Sequence, residues 1–315
     1  MASKYAYIVT ACYKYTPELC ALLNSLEHVG NKQDVYVLGY KLEDPFVDQF
    51  KNLSYRVIFQ DIPEEEARQF GGVAEITCRK RYWYAAELGM IHDAICVLDA
   101  DMVFVRNPVN YFHIAAATNL VIGVHKEQNK VYDHEHHMAN GKWLLPKGYY
   151  NPRELCNCPM FINAKAWEGA LKDSWLYFSN GFPKTNFRAP DMDAINIALI
   201  VHGGEDKIIK LSNHSWLGTN ESLLKPYTRA TKRGDGQFYT ENGQDIYSYH
   251  GQYYKDKWCA CQLDNRHGCA NGYLGCAEKS DSMATGSMEL MRGHFMKMLD
   301  YKITIEKKDY IATWV

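Results

Sequence analysis

The sequence predicts an α/β fold built on a mixed but mainly parallel sheet with helices on both faces. Apolar segments typical of strands alternate with segments typical of helices through the first third of the chain. The strand segments are almost continuously apolar, as expected for strands that are buried on both faces of a sheet. One of them, AICVLDADMVFV at 94–105, runs directly into two aspartates.

The elements follow in order from the N-terminus. YAYIVTACY predicts the first strand and TPELCALLNSLEHVG a helix, with Thr16 as its cap, Pro17 at its first position and Gly30 at its end. DVYVLGY and YRVIFQDI predict further strands. EITCRKRYWYAAELGMIHD predicts a helix, because three of its apolar residues share one helical face; these are Trp83, Ala86 and Met90.

The second half of the chain is less regular. Residues 125–155 predict a long polar loop over the carboxyl edge of the sheet, followed by a strand and helix in CPMFINAKAWEGAL. DMDAINIALIV predicts another helix and DIYSYHGQYY a late strand. We expect a catalytic domain over 1–258 and, over 259–315, a cysteine-rich segment with a helical extension packed on that domain. The apolar face of this extension contains Met288, Met291, Phe295 and Met298.

Composition excludes some classes of function. The formal net charge is −2 and no basic block is present, so neither nucleic acid nor an anionic membrane is indicated as a partner. No membrane span is expected, and the N-terminal residues do not resemble a secretory signal. With ten cysteines most simply interpreted as thiols, we expect a cytoplasmic protein. Assembly into a homo-oligomer is left open.

The two aspartates suggest a reason for their position. Asp99 and Asp101 lie two residues apart, in a turn at the carboxyl end of a buried strand, where α/β sheets bind their ligands. Their carboxylates can reach one hard divalent cation. The surrounding AICVLDADMVFVRNP resembles the signature of the nucleotide-sugar glycosyltransferases of the Rossmann-like GT-A fold, particularly family 8. This resemblance implies that Asp99 and Asp101 hold Mn²⁺, or alternatively Mg²⁺, against the donor diphosphate, with Ala100 and Asp99 next to the nucleotide.

A second stretch, YHGQYYKDKW, resembles the C-terminal motif HxxGxxKPW of the same family. The resemblance implies that His250 is the third metal ligand and that Gly251 lies at the donor. Lys255 or Lys257 would contact the diphosphate, although neither falls at the family's position and Gly251 comes early. A histidine in a surface loop is the alternative.

Two further stretches resemble the part of the family site that holds the donor sugar. APDMDAINIAL resembles DQDxLN and implies catalytic roles for Asp191 and Asp193, with Met192 in place of the usual glutamine. Asp191 could instead be a helix N-cap. CNCPMFIN resembles NxGhhhhN, where h is apolar, and implies that Asn157 contacts sugar hydroxyls, although Pro159 replaces the glycine.

The loop after the first strand, TACYKY, occupies the place of the family's nucleotide-binding loop. Thr10, Ala11 and Tyr13 are therefore expected to contact the base and ribose. Arg81 lies where the family has a basic donor-binding residue. A solvated helix face that includes Arg79, Lys80 and Arg81 is the alternative interpretation.

Two clusters fit no part of this resemblance. One contains four cysteines and a histidine, which could bind zinc or be thiols in a packed loop; these are Cys259, Cys261, Cys269, Cys276 and His267. The other, at 133–137, is a polar cluster best explained as a solvated or acceptor-facing loop.

These observations predict a metal-dependent glycosyltransferase. The resemblance favours transfer of a hexose from UDP-glucose or UDP-galactose to a hydroxyl of a glycan, protein or small-molecule acceptor, with retention of configuration. Two alternatives remain open at this level. One is a catalytically silent protein of this fold that binds sugar nucleotides or glycans, and the other is an arabinosyltransferase-like enzyme of different stereochemistry.

Overall fold

The fold was analysed in a computed structural model of the 315-residue chain. The structure describes residues 2–69, 73–125, 130–132, 138–139, 142–181, 190–211, 230–240, 242–250, 290–291 and 293–305. The helices are α1 (Thr16–His28), α2 (Asp44–Val47), α3 (Glu64–Gln69), α4 (Val73–Leu88), α5 (Val109–Thr118), α6 (Glu168–Gly181) and α7 (Pro190–Gly203). Further helical residues lie at 290–291 and 293–298.

Fifteen strands are present in the described residues. They are β1 (Tyr5–Cys12), β2 (Asp34–Tyr40), β3 (Val57–Asp61), β4 (Ala94–Asp99), β5 (Met102–Phe104), β6 (Val121–His125), β7 (Lys130–Tyr132), β8 (Met138–Ala139), β9 (Lys142–Trp143), β10 (Tyr149–Asn151), β11 (Leu155–Ile162), β12 (Ile208–Leu211), β13 (Ala230–Lys232), β14 (Phe238–Thr240) and β15 (Ser248–His250).

Seven of these strands form the central sheet, in the order β12-β6-β11-β4-β1-β2-β3. Every neighbouring pair is parallel except the two that include β11. The strands at the centre are fully buried, which explains their continuous apolar sequences; Ile8 and Val97 have no exposed surface. The predicted mixed, mainly parallel α/β sheet is confirmed.

The order of the strands reverses at β1. The chain passes from β1 to β2 and β3 on one side and then returns to place β4 on the other side. Thr10 near the end of β1 therefore lies opposite Asp99 at the end of β4. A crevice at such a reversal is where open α/β sheets bind ligands.

A two-stranded ribbon extends from this point. β5 follows directly after Asp101 and pairs antiparallel with β15, so that Met102 lies opposite His250 and Phe104 opposite Ser248. The backbone N–H of Phe104 donates a 2.9 Å hydrogen bond to the hydroxyl of Ser25, which fixes the ribbon against α1. The ladder thus brings a residue near position 250 next to the end of β4.

The C-terminal residues pack against α1. Met291, Phe295 and Met298 are fully buried in the same core as the sheet, while Met288 lies outside the described residues. The buried amide of Asn24 donates to the carbonyl oxygens of Met298 at 2.6 Å and Ile303 at 2.7 Å. Its oxygen accepts two backbone N–H groups from the same segment. The side chain of Asn24 thus connects α1 to the C-terminal segment through four hydrogen bonds.

Parts of the secondary structure differ from the prediction. The stretch predicted as a long loop at 125–155 contains short strands, with β7 paired to β10 and β8 paired to β9. Ladders of two or three residues are too short to produce a recognisable alternation in sequence. The hydroxyl of Thr16 does not cap α1 but donates to the carbonyl oxygen of Tyr13, because a 3₁₀ turn at Tyr13–Tyr15 precedes the helix.

The buried face of α4 also differs from the prediction. Met90 lies beyond the end of the helix and is 72% exposed, whereas Tyr82 and Ala85 are buried. The sequence pattern did not indicate this face, because the face includes a charged residue, Arg81, that is also buried.

Asn24 allows a test of how the C-terminal segment is held. Replacement with alanine leaves backbone groups buried without partners, and we expect a loss of about 3 kcal/mol in the free energy of unfolding, measured by urea denaturation. Gln49 provides the matched control, because its amide makes three hydrogen bonds to Thr304 of this segment but, unlike that of Asn24, is partly exposed to water. Gln49→Ala should cost less than about 1 kcal/mol. Equal losses in the two variants would contradict the importance of Asn24.

Candidate active site

Three side chains that are distant in sequence meet at the carboxyl edge of the sheet. Asp99 ends β4, Asp101 follows in the turn to β5, and His250 ends β15. One oxygen from each carboxylate and one imidazole nitrogen lie within 4.8 Å of one another. Nε2 of His250 is 2.8 Å from Oδ1 of Asp101 and 3.4 Å from Oδ2 of Asp99. The alternative of a histidine in a surface loop is therefore wrong, since His250 belongs to β15 and its side chain is largely buried.

A fourth charged residue, Arg81, forms an ion pair with Asp99 of this cluster. Its side chain projects from α4, has no exposed surface and places Nη1 2.5 Å from Oδ1 of Asp99. The same nitrogen donates a 3.3 Å hydrogen bond to the carbonyl oxygen of Leu98. The alternative of a solvated helix face is wrong for Arg81. A buried cation here holds Asp99 ionised and fixes its orientation.

The charges of the cluster shift its titration. Burial lowers the pKa of His250, but the charge of Asp101, its hydrogen bond and the charge of Asp99 outweigh burial and raise that pKa to about 9. Burial raises the pKa of Asp99, yet Arg81 and then His250 hold it below its usual value. Two carboxylates are therefore offset by a guanidinium and, without a metal ion, by an imidazolium.

The donor set fits a divalent metal ion. Two carboxylate oxygens and one imidazole nitrogen suit Mn²⁺, and the carboxylates alone suit Mg²⁺. Binding a metal requires a neutral His250, because an imidazole ligates only through an unprotonated nitrogen. The imidazolium would then release its proton to solvent, and the ion would balance the charge of the aspartates in its place.

Cys158 is a neighbour of this cluster that the sequence analysis missed. Met160 pairs with Val97 in the antiparallel β11–β4 ladder, so Cys158, two residues earlier, lies beside Asp99. Its thiol is buried. Burial raises the pKa of Asp99, whereas the charges of Arg81 and His250 and the hydrogen bond with Cys158 lower it. The signal was the alternation in β11, where residues 158 and 160 share a face.

Of the predicted nucleotide-binding residues, Thr10 lies opposite Asp99 at the point where the strand order reverses. Thr10 and Ala11 are buried and belong to β1 itself, not to a loop, because the strand continues to Cys12. Tyr13 begins the following 3₁₀ turn and is 45% exposed. Ala100 is buried in the turn between the two aspartates.

The residues predicted beneath the donor sugar lie on α7 and β11. Asp191 is in the first turn of α7, which begins at Pro190, and Asn157 lies in β11. Asp193 is buried. The side chain of Asn196 fastens α7 to β11, since it accepts from the N–H of Leu155 at 2.9 Å and donates to its carbonyl oxygen at 3.0 Å.

Several predicted site residues lie outside the described residues. They are Gly251, Lys255 and Lys257, the cluster Cys259, Cys261, His267, Cys269 and Cys276, and the residues at 133–137.

Comparison with solved structures identifies the architecture. The galactosyltransferase LgtC, solved with donor and acceptor sugar analogues, is similar over 92% of this chain and 99% of its own, with a TM-score of 0.51 and 15% identity. This chain has the GT-A glycosyltransferase fold. Two other glycosyltransferases show lower similarity: mouse xyloside xylosyltransferase 1, and GlyE of Streptococcus pneumoniae.

The mouse enzyme has a TM-score of 0.46 and 15% identity over 79% of this chain and 97% of its own. GlyE has a TM-score of 0.44 and 14% identity over 70% of this chain and 47% of its own. No protein-family model matches the chain, and no curated protein matches its sequence. In the described part of the GT-A fold, none of the helices has the length and apolar character to cross a bilayer.

The titration of His250 predicts a pH dependence for the metal-free protein. Its pKa is about 9 in the fold and 6.5 in the unfolded chain, so the ion pairs contribute fully below pH 6.5. This stability is lost as pH rises through 9, with an upper limit of about 3 kcal/mol. Thermal unfolding of chelator-treated protein should show the decline. His250→Gln should remove that part of the slope, and an unchanged slope would contradict the ion pairs.

Proposed function

We propose that this protein is a metal-dependent glycosyltransferase. It transfers a hexose from a nucleoside-diphosphate sugar, UDP-glucose or UDP-galactose, to a hydroxyl of a glycan, a protein or a small molecule, and it does so in the cytosol. The observation that carries the proposal is the convergence of Asp99, Asp101 and His250 at the strand-order reversal of a GT-A fold. Burying two carboxylates here is costly, and a bound divalent cation would offset that cost further.

Different residues would bind the metal ion and the diphosphate of the donor. Asp99, Asp101 and His250 would hold Mn²⁺, with Mg²⁺ as the alternative, and the ion would supply neutralisation of the charge that grows on the departing diphosphate. Arg81 keeps Asp99 ionised and aimed at the site. Lys255 or Lys257 would add positive charge at the diphosphate.

The nucleoside would bind at the ends of β1 and β4. Thr10 adjoins Asp99, Ala11 is small enough for close approach, and the exposed ring of Tyr13 can stack on a base. Ala100 and Gly251 would line the same donor site. Asn157 comes from β11, next to β4 in the sheet, and would hydrogen-bond to hydroxyls of the sugar.

Asp191 and Asp193 would position the sugar and would not attack it. The burial of Asp193 suits a positioning role. Its charge also affects Tyr132, whose pKa is raised mainly by the burial of that tyrosine, then by the charge of Glu154, and to a smaller extent by Asp193. Met192 between them is buried and is a poor nucleophile. We therefore favour attack from the face that the diphosphate leaves, which retains configuration, with the leaving group accepting the acceptor's proton.

The first experiment tests metal-dependent donor binding and turnover. A thermal-shift screen of UDP-, GDP- and dTDP-sugars should show the largest rise in Tm for a UDP-hexose, and only with Mn²⁺ present. Asp101→Asn should lower kcat/KM about a hundredfold or more, because a charged ligand is lost. Asp93→Asn, an exposed aspartate that pairs with Lys4, is the control and should leave both readouts unchanged.

Each outcome of the screen separates the proposal from an alternative. Binding of a sugar nucleotide without turnover on any acceptor would identify a silent binding protein. Full activity in Asp101→Asn, or after chelation, would contradict the role of the metal.

The second experiment addresses stereochemistry. The anomeric coupling constant in the NMR spectrum of the product should report an α linkage from an α-linked donor. Asp191→Ala should lose most activity, whereas Met192→Gln should be tolerated because it restores the residue usual in the resembling family. A β linkage would reject retention, and a glycosyl adduct trapped on Asp191 or Asp193 would reject the same-face route.

A further inference from the structure

A large cavity lies at the end of β5 that is remote from the aspartates. It has a volume of about 920 Å³, is open to solvent on one side, and is lined by the end of α1, the chain after β5, the β13–β14 hairpin and helical residues at 290 and 293–297. Arg106 in its wall is five residues beyond Asp101, about 16 Å along an extended chain. No residue of the Asp99–Asp101–His250 cluster lines it.

The described lining of the cavity carries an excess of positive charge. Lys232 and Lys297 line it, and neither forms an ion pair with a carboxylate in the described part of the chain. Arg106 is already engaged, since its Nη2 lies 3.0 Å from Oδ1 of Asp245 and its guanidinium lies 5.3 Å from the centre of the Tyr239 ring. The two lysines are therefore the cationic groups available to a negatively charged ligand.

The acidic residue in this lining is already engaged. Asp235 accepts hydrogen bonds from the hydroxyl of Tyr239 at 2.7 Å and from the N–H of Gln237 at 2.9 Å. The terminal carbonyl oxygens of α1 are also partly satisfied, because the amide of Asn107 donates to Val29 and Gly30. The hydrogen bonds from Tyr239 and Gln237 lower the pKa of Asp235, so this carboxylate stays ionised and offsets one of the positive charges of the lining.

Two histidines complete the wall. His28 and His294 lie with ring centroids 6.0 Å apart, and Nδ1 of His294 is 3.0 Å from the hydroxyl of Tyr249. Burial, and then the charges of His28, Lys232 and Lys297, lower the pKa of His294 to about 4. These imidazoles are therefore neutral hydrogen-bonding groups at neutral pH, and Lys232 and Lys297 supply the positive charge of the lining.

We propose that this cavity binds a phosphate-bearing anion at a site separate from the nucleotide-sugar site. Phosphate accepts several charge-assisted hydrogen bonds, and Lys232 and Lys297 provide ammonium donors in the lining. The volume accommodates a ligand larger than inorganic phosphate, such as a phosphate monoester. The proposal goes beyond the transferase activity and does not depend on it.

Isothermal titration of the full chain tests the site. The protein is stripped of metal on a chelating resin, so that binding through the aspartate cluster is removed, and titrated with inorganic phosphate and with glycerol 3-phosphate. We expect saturable binding that falls at least about tenfold in Lys232→Gln/Lys297→Gln. Lys165→Gln/Lys207→Gln replaces two other exposed lysines and should bind normally. Asp101→Asn should also bind normally.

A second readout reports from inside the cavity. Phosphate neutralises the charges that depress the pKa of His294, so NMR of its ring should show that pKa rising in the wild type and not in the double lysine variant. Tighter binding of glycerol 3-phosphate than of phosphate indicates an ester ligand, and equal binding indicates the free anion. Absence of saturable binding, or equal affinity in the wild type and the double lysine variant, would overturn the proposal.

Discussion

The ion pair between Arg81 and Asp99 is the interaction on which the candidate site depends. A carboxylate at the end of a buried strand loses much of its hydration, and an unpaired charge there would cost several kcal/mol. Arg81 reaches it from α4 with its own side chain fully buried, so neither charge is tolerated without the other. The pair fixes α4 against β4 and leaves the outer oxygen of Asp99 facing His250.

The second constraint is the register of the β5–β15 ladder. Asp101 and His250 are 149 residues apart in sequence, and they meet because Met102 lies opposite His250 in this ribbon. A slip of one residue would turn His250 to the other face. The same ribbon reaches the basic cavity at its far end, where Tyr249 contacts His294. One short ladder therefore contributes to both of the sites proposed here.

The sequence predicts the fold well where local pattern and burial agree. The apolar runs of β1 and β4 and the aspartates at the end of β4 were recognisable because strands buried on both faces leave a continuous signal. The burial of Arg81 and the position of Cys158 beside Asp99 were not, since both follow from tertiary pairing. His250 could be proposed only from a resemblance, because no local pattern specifies a partner so distant in the chain.

Pulsed electron paramagnetic resonance on the Mn²⁺-loaded protein with UDP tests the central claim most directly. If Asp99, Asp101 and His250 hold the ion against a diphosphate, the Mn²⁺ signal should be modulated both by a ¹⁴N nucleus from the imidazole and by ³¹P nuclei from UDP. The ¹⁴N modulation should disappear in His250→Gln while bound Mn²⁺ remains detectable. A Mn²⁺ signal with ³¹P coupling but no ¹⁴N coupling in the wild type, or with no ³¹P coupling at all, would contradict the account.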